Sequence, residues 1–151
     1  MKPTLLIGLG NPLMGDDGVG CAVAERLAHD PRLPDSAEVI CGGSDLLRYA
    51  AQMEGRSRVL VLDAIQDGAE PGGIFVFADG QPGLDDHQDH AHHLSAVQAI
   101  RLLEAIAPIR CTLVGIAISS AAMADRLSPA VEARMPAIVD RVLEEVERWL
   151  V

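Results

Sequence analysis

The sequence predicts a three-layer α/β/α fold whose central sheet is largely parallel and has about five strands. Three observations support this prediction. Short apolar runs alternate with helical patterns along the 151 residues, as they do in βαβ units. One run, Val59–Leu62, is continuously apolar, which is typical of a central strand buried on both faces. The length suits a single domain spanning residues 1–151.

Glycine and proline residues separate the predicted strands and helices. The predicted strands are Thr4–Gly8, Ala37–Cys41, Val59–Leu62, Gly72–Phe77 and Arg110–Ala117. The predicted helices are Val19–Ala28, Asp45–Met53, Leu94–Ala107 and a final helix from Pro129 to Trp149, with Ser128 as its N-cap. The fourth strand has no helix-length segment before it, so we expect it to run antiparallel at an edge of the sheet.

The most informative stretch is Leu5–Gly20, LLIGLGNPLMGDDGVG. It reads as a strand, a glycine-rich turn and the start of a helix. Two adjacent carboxylates, Asp16 and Asp17, stand where that helix begins, and we expect one of them to act as its N-cap. The other is left for a site, because open α/β sheets bind ligands at the carboxyl ends of their strands.

This loop does not fit a dinucleotide-binding fingerprint. The pattern GxGxxG needs a glycine at the position occupied by Leu13. Asp16 and Asp17 would also repel the pyrophosphate that such a loop must hold. The sequence therefore excludes NAD or FAD binding here.

The charge balance limits the partners. The chain carries 12 basic and 22 acidic side chains, a formal net charge of -10. Such a field repels nucleic acid and anionic membrane surfaces. No apolar stretch reaches the length of a membrane span, and no signal-peptide pattern opens the chain. We expect a cytoplasmic monomer that binds no nucleic acid and does not insert into a membrane.

The cysteines are odd in number and lack CxxC spacing. Cys21, Cys41 and Cys111 fall within or beside apolar runs. The pattern predicts buried free thiols in a reducing compartment.

Three acceptor side chains stand at the carboxyl ends of predicted elements. They are Asp17 after the first strand, Asp63 after the third, and a histidine at the start of the third helix. Two carboxylates and an imidazole suit a divalent metal such as nickel or zinc, or acid and base catalysis. Each also has a plainer interpretation: Asp17 as a cap, Asp63 as a turn residue and the histidines as part of a solvated loop.

Four histidines crowd into a polar loop at positions 87, 90, 92 and 93. His92 is the best candidate, because the small and apolar residues that follow it recur at helical spacing on its own face. From His93 the same face meets charged side chains. The doubled His92-His93 leaves the choice open by one residue.

The chain resembles the hydrogenase maturation endopeptidases, which trim the carboxyl terminus of the large subunit of nickel–iron hydrogenases. The blocks that carry this resemblance are GLGNPL at 8–13, DDGVG at 16–20, GGS at 42–44, LDA at 62–64, HHLS at 92–95 and LSPAV at 127–131. The segment 118–126 departs from the family's pattern.

The resemblance implies that Asp17, Asp63 and His92 form a metal-contacting catalytic site. It also implies that the nickel belongs to the hydrogenase large-subunit precursor, which is the partner, and that cleavage releases a C-terminal peptide. No Ser-His-Asp or Cys-His arrangement is legible, so we expect Asp17 or Asp63 to act as general base for a water molecule.

Two other functions are compatible with parts of the sequence. The opening LLIGLGNP is also similar to that of peptidyl-tRNA hydrolases, although those enzymes need a basic face for RNA. A non-catalytic nickel-binding escort protein could use the same three side chains. Turnover of a precursor would distinguish an enzyme from an escort protein.

Overall fold

The structure is a computed structural model that describes residues 1–66, 70–77, 96–119 and 121–149. Strands and helices alternate along these ranges. In order they are β1 (Thr4–Gly8), α1 (Val19–Ala28), β2 (Ala37–Cys41), α2 (Ala50–Met53), β3 (Arg58–Ile65), β4 (Ile74–Phe77), α3 (Ala96–Ile106), β5 (Cys111–Ala117) and α4 (Pro129–Arg148). Two 3₁₀ turns, Gly15–Gly18 and Leu46–Tyr49, precede α1 and α2.

The strands form one sheet in the order β2-β1-β3-β5-β4. The pairs β1 with β2, β1 with β3, and β3 with β5 are parallel. β4 pairs antiparallel with β5 at the edge. This arrangement confirms the predicted fold, including the antiparallel edge strand.

Helices cover both faces of the sheet. On one face Leu6 packs in a core cluster with residues of α1 and α4. On the other face Leu5 and Ile7 pack with residues of α3 and with Leu46. Neighbouring residues of β1 point to opposite faces, as strand geometry requires. The three layers follow from this alternation.

Two element boundaries differ from those predicted by three residues or more. β3 does not end at Leu62 but continues to Ile65, because it keeps pairing with β5 beyond the point where β1 stops at Gly8. The predicted helix 45–53 opens as a 3₁₀ turn, whose N-cap Asp45 accepts a hydrogen bond from the backbone N–H of Leu47. Apolar runs indicate which residues pair but not where a neighbouring strand ends.

The prediction for the cysteines is partly wrong. Cys21 and Cys111 are buried, but Cys41 is exposed. Cys41 is the last residue of β2, which lies at an edge of the sheet, so fewer neighbours cover it. None of the helices in the part of the chain that the structure describes is both long and apolar enough to cross a membrane.

The first turn of α1 lies directly against the backbone of β1 and β3. A Cβ on Gly20 would stand 2.3 Å from the carbonyl oxygen of Leu62 and 2.5 Å from that of Leu9. On the strand side, a Cβ on Gly8 would stand 2.4 Å from the carbonyl oxygen of Gly20. Only glycine allows this approach at both positions.

We expect Gly20→Ala to destabilise the protein, although alanine has the higher helix propensity. The added methyl group must displace two backbone carbonyls, and overpacking of this kind costs about 1 to 3 kcal/mol or more. Urea unfolding measures the change. Gly43→Ala is the matched control, because a Cβ there meets nothing within 4 Å. Equal stability of the two variants would contradict the close packing of α1.

Candidate active site

Asp17 lies on the 3₁₀ turn that leads from β1 into α1. Its Oδ2 accepts a hydrogen bond from the backbone N–H of Asn11 at 2.8 Å. Asn11 belongs to the loop that follows β1. The hydrogen bond therefore closes this loop and holds the Asp17 carboxylate in place. Asp17 is half-buried.

Asp63 lies on β3, one residue past the end of β1. Gly8, the last residue of β1, pairs with Leu62, and Asp63 is therefore the first β3 residue without a β1 partner. Its Oδ1 accepts a hydrogen bond from the N–H of Ala64 at 2.9 Å. β3 thus places Asp63 at the carboxyl edge of the sheet, next to the end of β1.

The two carboxylates influence each other. The pKa of Asp63 is raised from 3.8 to about 7, mainly because the carboxyl is buried; the hydrogen bond from the N–H of Ala64 lowers the pKa, and the negative charge of Asp17 raises it. Near neutral pH Asp63 therefore exists in both protonation states. A carboxyl that titrates in this range can donate or accept a proton.

The site offers oxygen donors to a cation. Among the described residues, Oδ1 of Asp17 and Oδ2 of Asp63 accept no hydrogen bond. Within the same ranges no group of three histidine, cysteine or acidic side chains could hold a metal ion. His92 and His93 lie outside the described residues, so the histidine of the predicted site stays a prediction.

Asp16 has a structural role that the sequence did not predict. The expectation that Asp16 or Asp17 caps α1 is wrong, because Gly18 is the N-cap and makes no side-chain cap bond. Asp16 is only 4% exposed. Its Oδ1 accepts from the N–H of Ser128 at 2.7 Å, and its Oδ2 accepts from the Ser128 hydroxyl at 2.8 Å.

This pair fixes the start of α4 beside the candidate site. Ser128 is the N-cap of α4, as predicted, and its Oγ accepts from the N–H of Val131 at 3.4 Å. Asp16 therefore orients the capping hydroxyl of a helix that begins far along the chain. The loop carrying Asp17 is held in place by the same contacts.

Cys21 approaches the site from α1 but is not placed to be a nucleophile. Its thiol contacts the carbonyl oxygens of Gly42 at 3.0 Å and Gly8 at 3.3 Å. Burial raises the pKa of the Cys21 thiol strongly, and the neighbouring thiol of Cys41 adds to the effect. The reactive thiolate is therefore disfavoured.

The fold and the site together define a class of protein. In open α/β sheets, functional sites lie at the carboxyl edge where the strand order reverses, here between β1 and β3. Asp17 and Asp63 meet at that position. The chain is therefore an α/β protein with a carboxylate pair suited to acid–base chemistry or cation contact.

Comparison with known proteins narrows the class to one family. The model of the hydrogenase maturation protease family HycI matches residues 21–145. The chain belongs to the hydrogenase maturation protease family. This membership confirms the resemblance found in the sequence and sets aside the peptidyl-tRNA hydrolase alternative.

Individual relatives agree with the family assignment. A protein of Methanocaldococcus jannaschii is 36% identical over 96 residues, which are 62% of this chain and 62% of that protein. Hydrogenase 2 maturation protease of Escherichia coli is 29% identical over 143 residues, 92% of this chain and 87% of the relative. The crystal structure of a hydrogenase 2 maturation peptidase from a Thaumarchaeota archaeon has a TM-score of 0.73 and 29% identity, covering 97% of this chain and 99% of that one.

The raised pKa of Asp63 predicts a pH-dependent stability. Folded Asp63 keeps its proton up to about pH 7, whereas the unfolded chain releases it near 3.8. The folded state binds more protons in this window, so the free energy of unfolding falls as the pH rises through it. We expect Asp63→Asn to remove this fall and to be more stable than the wild type above pH 7 by roughly a few kcal/mol.

Urea unfolding of the metal-free protein across this pH window measures the effect. Asp35→Asn is the control, because Asp35 is exposed and should keep the wild-type slope. An Asp63→Asn variant that loses stability with pH as the wild type does would show that Asp63 ionises normally.

Asp16 should matter for stability. Asp16→Ala removes two hydrogen bonds to a charged acceptor and leaves the N–H of Ser128 without this partner. We expect a loss of about 2 to 3 kcal/mol in the free energy of unfolding. Thermal or urea unfolding tests this, with Asp35→Ala expected to stay within about 0.5 kcal/mol of the wild type. If Asp16→Ala lowers the free energy of unfolding no more than Asp35→Ala does, Asp16 does not have this structural role.

Proposed function

We propose that the protein is an endopeptidase that removes the C-terminal peptide of a nickel–iron hydrogenase large-subunit precursor after nickel insertion. The observation that carries this proposal is the pairing of Asp17 and Asp63 at the functional edge of a hydrogenase maturation protease fold. We further propose that it works as a monomer in the cytoplasm.

Nickel enters the proposal as part of the substrate. Asp17 and Asp63 supply two carboxylate donors, and His92 is the proposed third. These donors leave coordination positions of a nickel ion to other ligands. This arrangement suits an ion that the precursor already holds, and it would let the protease distinguish a loaded precursor from an empty one.

The proposed chemistry is hydrolysis of a peptide bond by a water molecule. Asp17 or Asp63 accepts a proton from the water as it attacks the scissile carbonyl carbon. The carboxyl that then holds a proton donates it to the leaving amine. The substrate's nickel, if it contacts the carbonyl oxygen, would stabilise the negative charge that develops there. The buried Cys21 thiol takes no part.

Mass spectrometry of a purified precursor tests this function directly. The nickel-loaded large-subunit precursor from the same organism should lose its C-terminal peptide when incubated with the protein, and the nickel-free precursor should not. Cleavage of both forms would show that the reaction does not require nickel. A stable complex of unchanged mass would instead support the escort function.

Substitutions assign the roles. We expect Asp63→Asn and Asp17→Asn to lower the rate of cleavage by about 100-fold or more, as loss of a general base or a metal contact does. Asp35→Asn is the control for an exposed aspartate and should cleave at the wild-type rate. His92→Ala should reduce cleavage more than His93→Ala does. Normal processing by Asp63→Asn would rule out an essential role for that carboxylate.

A further inference from the structure

Two large apolar side chains are exposed on the loops at the carboxyl edge of the sheet. Leu13 is 66% exposed and Met123 is 84% exposed. Their loops are joined through backbone hydrogen bonds: the N–H of Ala124 donates to the carbonyl of Leu13 at 3.1 Å, and the N–H of Gly15 donates to the carbonyl of Ala124 at 2.9 Å. We call the surface formed by Leu13 and Met123, with their neighbours Pro12 and Ala122, the Leu13–Met123 surface.

This surface is continuous with the candidate active site. Leu13 lies four residues before Asp17 on the same loop. In between, the N–H of Leu13 donates to the side-chain oxygen of Asn11 at 3.0 Å, and the N–H of Asn11 donates to Asp17. Asn11 therefore connects Leu13 directly to the residue that carries the candidate carboxylate.

The surface is uncharged, although the chain as a whole is strongly acidic. No charged side chain occurs at 11–15 or at 121–124, in a protein of net charge -10. The nearest charges after the second segment, on Asp125 and Arg126, pair with each other at 3.3 Å. The surface is thus suited to an apolar and uncharged segment of a partner.

The backbone beneath the surface is already ordered. Asp16 follows the loop that carries Leu13, and Ser128 follows the loop that carries Met123. Ser128 donates two hydrogen bonds to the Asp16 carboxylate. Together with the bridge between Met14 and Ala124, this contact fixes both loops relative to each other. Binding to preorganised loops costs little conformational entropy.

We propose that the Leu13–Met123 surface docks the large-subunit precursor, by binding an apolar, uncharged segment next to the bond that is cleaved. This inference rests on the proposed function. The precursor is the occupant because the surface is continuous with the carboxylates that the precursor must reach. Methionine is enriched in protein–protein interfaces, and the buried centre of an interface is more apolar than its rim.

The experiment compares binding and cleavage in the full-length protein. Leu13→Gln, Met123→Gln and the double variant remove the apolar contacts without adding charge. Ile106→Gln is the matched control: Ile106 is 69% exposed but ends α3 just before the loop into β5, at the opposite edge of the sheet. Binding of the nickel-loaded precursor to immobilised protein and the kinetics of its cleavage are measured for each.

For the double variant we expect KM and the dissociation constant to rise about 10-fold or more, with kcat within about 2-fold of the wild type, since loss of a docking contact weakens binding alone. The Ile106→Gln control should match the wild type in KM, in the dissociation constant and in kcat. Circular dichroism and urea unfolding establish that each variant is folded.

The remaining outcomes separate the two proposals. A wild type that cleaves while the double variant keeps its KM and dissociation constant would overturn the docking surface and leave the proposed function intact. A wild type that binds without cleaving would overturn the proposed function, and the dissociation constants would still decide the docking surface. A wild-type dimer that the double variant abolishes would show that the surface mediates self-association, and this result would also overturn the docking proposal.

Discussion

The candidate site depends on how closely the first turn of α1 lies against the strands. Gly20 leaves no room for a Cβ between the carbonyls of Leu9 and Leu62. Leu62 immediately precedes Asp63, and Asp17 lies three residues before Gly20. The contact that packs the helix on the sheet therefore also sets the two carboxylates side by side. Any side chain at Gly20 would separate the helix from β3 and, with it, Asp17 from Asp63.

Two adjacent aspartates are used in opposite ways. Asp16 points inward, is almost fully buried and accepts both of its hydrogen bonds from Ser128. Asp17 remains half-buried and keeps one oxygen free of hydrogen bonds among the described residues. The first fixes the loop to α4, and the second can therefore hold a constant position while remaining accessible. A single aspartate could not both anchor the loop and face a ligand.

Local signals predicted most of the fold. The apolar runs of the strands, the antiparallel edge position of β4 and the Ser128 cap follow from a few neighbouring residues, and all were confirmed. The role of Asp16 was not predictable, because its partner is 112 residues away. The extension of β3 to Asp63 likewise depends on β5. In the site, the meeting of Asp17 and Asp63 followed from strand order, whereas His92 stays a prediction.

The protonation of the pair links the geometry to the proposed use of nickel. In the metal-free protein, burial and the charge of Asp17 hold a proton on Asp63 up to about pH 7. A divalent cation placed between two carboxylates reverses this balance, because it favours the ionised form of both. In the proposed function a loaded precursor therefore brings the charge that ionises Asp63 completely, whereas with an empty precursor Asp63 stays partly protonated near neutral pH. Discrimination between the two would then arise from the electrostatics of the carboxylate pair, without a separate sensing element.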